Sequence, residues 1–274
     1  MGISVPDYKL LFGDIMLTAT VQSVYNCLNS LAPFSSQESW DNSGLMTGDM
    51  NADVTAILCA LDFTPDTVAE AVGKGCNLIV NHHPALFHAA KSFTAGTDGL
   101  YEAARSGISV IASHTCLDAA DGGVNDALCR AAGLTDIIKL YPESDGIPIM
   151  RGGKVPPQSA EDFARHVASC LGGAVRFTGI RSAENIAVCS GSGCDFLSFA
   201  AQSGYDTLLT GDASHHNFID ARNLGINLIA AGHFETERPV IDILAQTLCA
   251  NFPDIKIYIS EQTAPCITVI PNGT

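Results

Sequence analysis

The chain has 274 residues, enough to bury a sizeable core either as one large domain or as two small lobes. Apolar residues make up 47% of it, so we do not expect a disordered chain, and no apolar run approaches the ~20 residues that span a bilayer. The net charge of −15 opposes nonspecific binding to nucleic acid, which requires basic residues at the phosphates. It does not exclude a phosphorylated small molecule, because bound metal ions supply positive charge.

The ten cysteines are scattered singly through apolar segments, and no C-x-x-C pair exists, which argues against a zinc ribbon or a redox motif. Cys59 and Cys189 lie inside strand-like runs, where a thiol behaves as a small hydrophobic side chain. The N-terminus has no basic segment followed by an apolar one, so we predict no secretory signal. We therefore expect a reducing, cytoplasmic location.

The first half of the chain predicts alternating helices and strands. Apolar residues recur at helical spacing within 21–31, and Pro33 lies just beyond. After a strand at 56–61, Thr64 as N-cap and Pro65 at the first position open a second helix. The next elements are a strand at 77–80, a helix near 100–105 and a strand at 109–113. Short apolar strands alternating with helices indicate a largely parallel sheet covered on both faces.

A second, similar series follows. It consists of strands at 186–190, 207–210 and 227–231, with helices at 196–202 and 216–223. Gly225 aligns with Gly107, and Cys189 aligns with Cys59. We therefore predict an α/β protein with two related three-layer α/β/α lobes, largely parallel sheets and a metal site between the lobes. The alternative is chance similarity between two β-α-β units.

A stretch rich in proline and glycine, 141–157, is predicted to be a linker between the lobes. It separates a first lobe at 16–140 from a second lobe at 158–274. The remaining elements are a helix at 240–250 and strands at 255–260 and 267–270. We expect the segment 232–274 to pack back on the first lobe.

Imidazoles and carboxylates gather at the ends of three predicted strands. His82 and His83 follow one strand directly, and because adjacent side chains leaving a strand diverge, such a pair suits two metal ions better than one. Two further pairs, each four residues apart, follow the other strands: His114 with Asp118, and His233 with Glu237. Mixed imidazole and carboxylate ligands are typical of zinc, iron or manganese rather than calcium. The alternative for the adjacent histidines is a loop pair, or one core and one exposed histidine.

The two spaced pairs lead to different expectations. On a helix, His233 and Glu237 would share one face, but Pro239 disfavours a helix just before it, so we expect a turn. The Glu237 carboxylate is the natural candidate to bridge two ions, and the alternative is a surface pair bonded only to each other. In the other pair we favour Asp118 as the ligand, with His114 in a supporting or catalytic role.

Other residues are candidates for substrate contacts. Gly191 and Gly193 follow a strand and open a helix, where backbone N–H groups can bind a phosphate, although a tight structural turn is the alternative. Lys91 either pairs with an anionic substrate or is simply solvated. His215, at a helix start, is a candidate catalytic residue at the cavity or a cap of that helix. We expect the loop 40–42, Trp-Asp-Asn, to be structural.

Five short motifs together carry a family resemblance. They are ESWDNSGL at 38–45, NHHP at 81–84, SHTCLD at 113–118, TGD at 210–212 and GHFETER at 232–238. Through them, from about Val21 to its end, the chain resembles the Nif-three-like family of dinuclear metal proteins, whose members are also named GTP cyclohydrolase I type 2 homologues. The motifs are specific to the family and much less specific to a substrate.

The resemblance implies a set of five metal ligands: His82, His83, Asp118, His233 and Glu237. It implies two divalent ions per chain (zinc, iron or manganese) that share Glu237, and a toroidal homo-hexamer whose metal sites face an interior cavity. The chain lacks the extra central domain that longer family members insert between the lobes. Its residues 1–15 precede the usual start, so Met16 is an alternative initiator.

The function expected from these observations is metal-dependent hydrolysis. Two divalent ions about 3.5–4 Å apart acidify water and polarise the bond under attack, and the family name points to GTP, whose guanine imidazole ring would be opened. His114 or His215 would then move a proton, and phosphate contacts would come from the metals, Lys91 or the Gly191 turn, because no P-loop is present. The alternative is a metal chaperone or regulatory scaffold without turnover. We expect a small molecule as partner, and neither nucleic acid nor a membrane.

Overall fold

The computed structural model describes residues 19–88, 90–96, 98–142 and 146–265. They form two mixed sheets with helices packed on both, which confirms the predicted α/β class with two lobes. Residues 1–15, Met16 and the strand predicted at 267–270 lie outside the described residues. Within those ranges, no helix is both long enough and apolar enough to cross a membrane.

Ten α-helices, two short 3-10 helices (Phe34–Ser36 and Gly193–Phe196) and eleven strands are assigned within the described ranges. The first part of the chain contributes α1 (Val21–Leu31), β1 (Gly44–Thr47), β2 (Ala56–Ala60), α2 (Pro65–Lys74), β3 (Leu78–Asn81), α3 (Gly99–Arg105), β4 (Ser109–Ala112), α4 (Thr115–Ala119) and α5 (Val124–Ala131). The second part contributes β5 (Thr135–Leu140), β6 (Met150–Gln158), α6 (Ala160–Leu171), β7 (Arg176–Thr178), β8 (Ala183–Cys189), α7 (Leu197–Gln202), β9 (Thr207–Thr210), α8 (His215–Leu224), β10 (Asn227–Ala230), α9 (His233–Glu237), α10 (Pro239–Asn251) and β11 (Lys256–Ile259).

Both sheets have three parallel strands at the centre. The first sheet has the order β1-β4-β3-β2-β11, in which β1 alone is antiparallel to its neighbour. The second has the order β5-β6-β8-β9-β10-β7, with β8, β9 and β10 parallel. Successive residues of β2, such as Ile57 and Leu58, belong to apolar clusters on opposite faces of the sheet. Burial on both faces explains why these strands read as continuous apolar runs.

The register of the two sheets supports the predicted repeat. Residues paired side by side are Cys59, Val80 and Ile111 in the first sheet, and Cys189, Thr210 and Ala230 in the second. His114 lies three residues after Ile111 in the chain, and His233 lies three residues after Ala230. The two imidazoles therefore occupy equivalent positions in the two lobes.

Matching signals begin and end two of the helices. Capping boxes at Thr64 and Ser214 open α2 and α8, and glycines in the left-handed conformation close them, Gly75 at φ 70° and Gly225 at φ 71°. Glycine adopts this conformation without a steric penalty, so the chain reverses at once and enters the next strand.

The prediction of a linker at 141–157 is wrong for the second half of that range, which forms the strand β6 and pairs with β5 and β8. Its glycines permit close packing rather than flexibility: a Cβ at Gly152 would lie 2.6 Å from Cζ of Tyr205. The two prolines of β6, Pro156 and Pro157, fall after Lys154, where the pairing with β8 is interrupted. Proline is tolerated at such irregularities. The strand was missed because its composition resembles that of a loop.

The C-terminal segment returns to the first lobe. Strand β11 pairs in parallel with β2, and α10 packs in the same apolar cluster as α1, with Val240 and Leu244 beside Val21 and Leu28. Helix α9, which directly precedes α10, also contacts α5. This packing fixes α9 between the two sheets.

The turn predicted at His233–Glu237 is a helix, α9. Arg238 is helical, with φ −49° and ψ −36°, and Pro239 then begins α10. Proline is well tolerated at the start of a helix, where its missing N–H would have no partner in any case. The proline therefore marks the junction of two helices, and His233 and Glu237 share one helix face.

Candidate metal centre

Three strand ends bring the candidate metal ligands together. His82 and His83 follow β3, Asp118 lies on α4 after β4, and the other two lie on α9 after β10. They form two overlapping groups whose ligand atoms lie within 4.8 Å of one another: His82, Asp118 and Glu237, and His83, His233 and Glu237. Glu237 belongs to both groups, which is the position that a bridging carboxylate requires.

Glu237 stands at the centre of the cluster. Its Oε2 lies 2.9 Å from Nε2 of His83 and 3.2 Å from Nε2 of His233. Toward the interior, the same oxygen lies 3.9 Å from Nε2 of His82, and that nitrogen lies 3.8 Å from Oδ1 of Asp118. One carboxylate oxygen therefore faces three imidazoles.

Three of these atoms are buried and have no hydrogen-bond partner within the described part of the chain: Nε2 of His82, Oδ1 of Asp118 and Oε2 of Glu237. The nitrogens of His83 and His233 lie within 3.2 Å of Oε2 of Glu237, but neither forms a hydrogen bond with it. An unsatisfied buried polar group costs about 1–3 kcal/mol, and more when it is charged. Because the three atoms converge and belong to good metal-ligand types, a divalent cation fits the donor set.

Hydrogen bonds at the far ring nitrogens orient the histidines. Nδ1 of His83 lies 2.7 Å from Oδ1 of Asp62, and Nδ1 of His233 lies 2.7 Å from Oδ2 of Asp212. Nδ1 of His82 donates to the backbone carbonyl of Ser113 at 2.9 Å. Each ring therefore presents Nε2 to the cluster, as metal-binding histidines do. Sequence reasoning missed both aspartates, although each lies just after the end of a neighbouring strand.

The loop 40–42 contributes to the site, so the expectation of a purely structural loop is corrected. Nδ1 of His114 lies 2.8 Å from Oδ1 of Asp41, whose other oxygen accepts from the backbone N–H of Thr115 at 3.0 Å. Burial alone would raise the pKa of Asp41, but the bonds from His114 and Thr115 outweigh it and hold that pKa well below its usual range. The His114 ring lies 5.1 Å from that of His82. His114 belongs to neither group around Glu237, but one of its ring nitrogens lies within 4.8 Å of nitrogens of His82 and His83, so these three imidazoles form a third group that could hold a cation.

Burial dominates the protonation of the two most interior groups. It lowers the pKa of His82 to about 3, so this imidazole is neutral and free to bind a cation. Burial, reinforced by the charge of Glu237, raises the pKa of Asp118 to about 7.

Charge contacts dominate at the outer groups. Burial lowers the pKa of His83, but its contacts with Asp62 and Glu237 outweigh burial and raise that pKa to about 10. Contact with Glu237 raises the pKa of His233 to about 9 against the effect of burial. The same contacts overcome burial at Glu237 and hold its pKa well below the usual range. The Glu237 carboxylate thus attracts positive charge, which protons on His83 and His233 supply in the metal-free protein.

The turn after β8 that contains Gly191 and Gly193 packs against the cluster. The N–H of Gly191 donates to Oγ1 of Thr236 at 3.2 Å, and the N–H of Gly193 donates to Oγ1 of Thr210 at 3.0 Å. Both donors are therefore engaged by threonine side chains, so the geometry gives no support to the predicted phosphate contact, which stays a prediction. Gly191 instead leaves room for the Glu237 carboxylate, which lies against its Cα.

Two other candidates lie away from the cluster within the single chain. Lys91 is exposed and is not among the described residues that line the adjoining cavity. His215 is exposed at the start of α8, with its ring 5.7 Å from that of His216. Ser214, and not His215, caps this helix. Neither a substrate role for Lys91 nor a catalytic role for His215 has support from the geometry of one chain.

A cavity of about 850 Å³ opens beside the cluster. Its lining comes from both lobes and includes His83, His114 and His233 together with Asp118 and Glu237. Clefts of this size accommodate small molecules and cofactors. The candidate ligands therefore face a space in which a small substrate can reach them.

Comparison with known proteins identifies the family and the fold. Residues 19–265 match the family model Duf34/NIF3 (NGG1p interacting factor 3). A Clostridium acetobutylicum protein named GTP cyclohydrolase 1 type 2 homolog is 31% identical over 242 residues, covering 85% of this chain and 90% of its own. Staphylococcus aureus protein SA1388 superposes with a TM-score of 0.83 at 28% identity, over 92% of this chain and all of the other. Reduced HcgD from Methanocaldococcus jannaschii gives 0.77 at 25% identity, over 89% of this chain and 98% of the other.

The fold and the histidine–carboxylate cluster thus define a two-lobed α/β protein with a candidate metal site. The chain belongs to the Duf34/NIF3 family.

Proposed function

We propose that this chain is a dinuclear metal-dependent hydrolase whose two divalent ions share Glu237. The observation that carries the proposal is the convergence of buried atoms without hydrogen-bond partners at His82, Asp118 and Glu237. The overlapping second group, completed by His83 and His233, supports a second ion.

The donor set favours zinc, iron or manganese, because imidazole nitrogens are mixed with carboxylate oxygens. Such ions would supply Lewis acidity and would lower the pKa of nearby water at the cavity wall. The role of the protein is to hold the donors in place. Asp62 and Asp212 fix two of the imidazoles, and the packing of α10 on the first lobe fixes Glu237.

Among the residues that line the cavity, His114 is the best placed to move a proton. Its Nδ1 is engaged by Asp41, so Nε2 is the nitrogen left for substrate. An imidazole can both donate and accept a proton, which suits a general acid or base. Asp41 would keep the ring in one tautomer and one orientation.

For the substrate, we propose a small molecule of nucleotide type, GTP or a related compound. The support is the name shared by several relatives, GTP cyclohydrolase 1 type 2 homolog, together with a cavity of suitable size. By the same resemblance we propose a cytoplasmic homo-hexamer, which light scattering of the purified protein would test.

Elemental analysis and a hydrolysis screen test the proposal. The chain, purified without chelators and reconstituted in turn with zinc, iron and manganese, should hold two ions and release product from a panel of nucleotides and nucleosides. Glu237→Gln should abolish both metal binding and turnover. Glu235→Gln is a matched control on the same helix, outside both ligand groups, and should keep both.

Retention of two ions by Glu237→Gln would contradict the shared site. A metal-loaded chain that exchanges its ions without releasing any product would instead favour the second candidate function, a metal chaperone or scaffold.

A further inference from the structure

An aromatic wall stands beside the candidate metal centre. The rings of Trp40 and Phe87 lie 6.4 Å apart, and both pack edge-on against the imidazole of His114, at 5.9 Å and 5.4 Å. All three side chains line the cavity. The wall therefore leads directly to the histidine that adjoins the metal cluster.

The indole of Trp40 and the phenyl ring of Phe87 are both exposed. Trp40 is 57% exposed and Phe87 is 44% exposed. They contact each other and form one apolar surface, and aromatic faces of this kind favour stacking with another flat ring. Stacking of a base on an aromatic side chain is tolerant of sequence and contributes substantially to binding.

The cavity wall also carries five carboxylates. Its carboxylates are Glu38, Asp62, Asp118, Asp195 and Glu237. None of the described lining residues is lysine or arginine. Two divalent ions would offset most of this negative charge, and no lysine or arginine of the described lining would assist them in binding a polyphosphate chain. The cavity therefore gives a flat ring an aromatic surface to stack on, whereas its described lining gives a polyphosphate no lysine or arginine to bind.

We propose that Trp40 and Phe87 form the ring-binding subsite of this cavity, and that its ligand is a neutral, flat heteroaromatic ring, as in a nucleobase or nucleoside, rather than a nucleoside triphosphate. This inference rests on the proposed function and narrows its substrate class from GTP and related compounds to the nucleosides and nucleobases among them, so that guanosine replaces GTP as the expected ligand. It places the ring against the aromatic wall, in the same cavity that the residues of the metal cluster line.

The experiment uses the fluorescence of Trp40, which is the only tryptophan in the chain. Guanosine added to the full-length, metal-loaded protein should quench its emission saturably. Inorganic tripolyphosphate should leave the emission unchanged, and GTP should bind no more tightly than guanosine.

Two matched variants locate the effect. Phe87→Ala should weaken guanosine binding on the order of tenfold, because a stacking surface is lost. Phe93→Ala removes a ring of similar exposure, 48%, that does not line the cavity, and it should leave the binding unchanged. Both positions are partly exposed, so both variants should fold.

Three results would overturn the inference: no quenching by guanosine, tighter binding of GTP than of guanosine, or equal effects of the two variants. These measurements need no turnover. A chain that binds guanosine at Trp40 but hydrolyses nothing would contradict the proposed function alone, and an active hydrolase without quenching would contradict the ring subsite alone.

Discussion

Gly191 lies directly against the carboxylate of Glu237. A Cβ at position 191 would come within 2.3 Å of Oε1 of Glu237 and 3.2 Å of the His233 ring, and the backbone there has φ +55°. Glycine is thus required twice, for the left-handed conformation and for the space. The turn after β8 in the second lobe thereby shapes the position of the carboxylate.

Gly191→Ala should therefore displace Glu237 and lower metal affinity by about 10–100-fold, the range seen when groups that orient ligands are removed. Metal titration followed by calorimetry measures this. Gly172→Ala is the control, because Gly172 also has a positive φ, +79°, but no atom lies within 4 Å of its Cβ position. It should lose about 1 kcal/mol of stability and keep its metals. Equal metal affinity in the two variants would contradict the role of Gly191.

Glu237 should matter to both ions, whereas His83 should matter mainly to one. We expect Glu237→Ala to lose both metals, because Glu237 belongs to both ligand groups, and His83→Ala to retain one, because it belongs to one of them. Elemental analysis of the purified variants gives the ratio of metal to chain. Full occupancy in Glu237→Ala would show that this carboxylate is not the bridge.

His114→Ala should keep both metals and the fold while turnover falls by about 10²–10⁴-fold, the usual contribution of a general acid or base. Asp41→Asn should also slow turnover and shift its pH profile, because the carboxylate that holds the His114 tautomer is lost. The readouts are metal content, thermal unfolding and the rate on any substrate found. Loss of one metal from His114→Ala would make it a ligand, and an unchanged rate would leave it a structural residue.

Metal affinity should rise with pH. In the metal-free protein the pKa values of His83 and His233 are raised to about 10 and about 9, so both imidazoles carry protons at neutral pH, and Asp118, near 7, is partly protonated. Metal binding must displace these protons, so apparent affinity increases between about pH 6 and 9. Calorimetry in buffers of different protonation enthalpy should show release of about two protons per chain. Affinity that is independent of pH over this range would contradict the proton-occupied state.

Much of the fold is determined by local signals in the sequence. The parallel strands are buried on both faces and therefore appear as short apolar runs, and glycines at helix ends mark where each strand begins. Those signals are enough to predict the repeated series and its match of Cys59 with Cys189. They fail at β6, because glycine and proline there serve tight packing and an interrupted pairing with β8.

The candidate metal residues are visible in the sequence for the same reason. In a parallel sheet, polar side chains that follow neighbouring strands lie along one edge, so strand order alone is enough to group His82, His83 and Asp118 after β3 and β4. His233 and Glu237 follow β10 of the other sheet, and the complete set of five was implied by the family resemblance. The helical conformation of α9 is not predictable from strand ends. It depends on Pro239 beginning a helix that packs on the first lobe, which is a tertiary contact.

Only the tertiary structure decides how the imidazoles are oriented. Asp41 lies 73 residues from His114, and Asp62 and Asp212 each lie 21 residues from the histidine they hold. No periodicity or short motif links residues at such separations, because a hydrogen bond of 2.7–2.8 Å depends on how whole strands and loops are placed. The sequence therefore determines which residue types are available as ligands. The direction in which each ring nitrogen points depends on hydrogen bonds that form only when the two lobes are folded and packed.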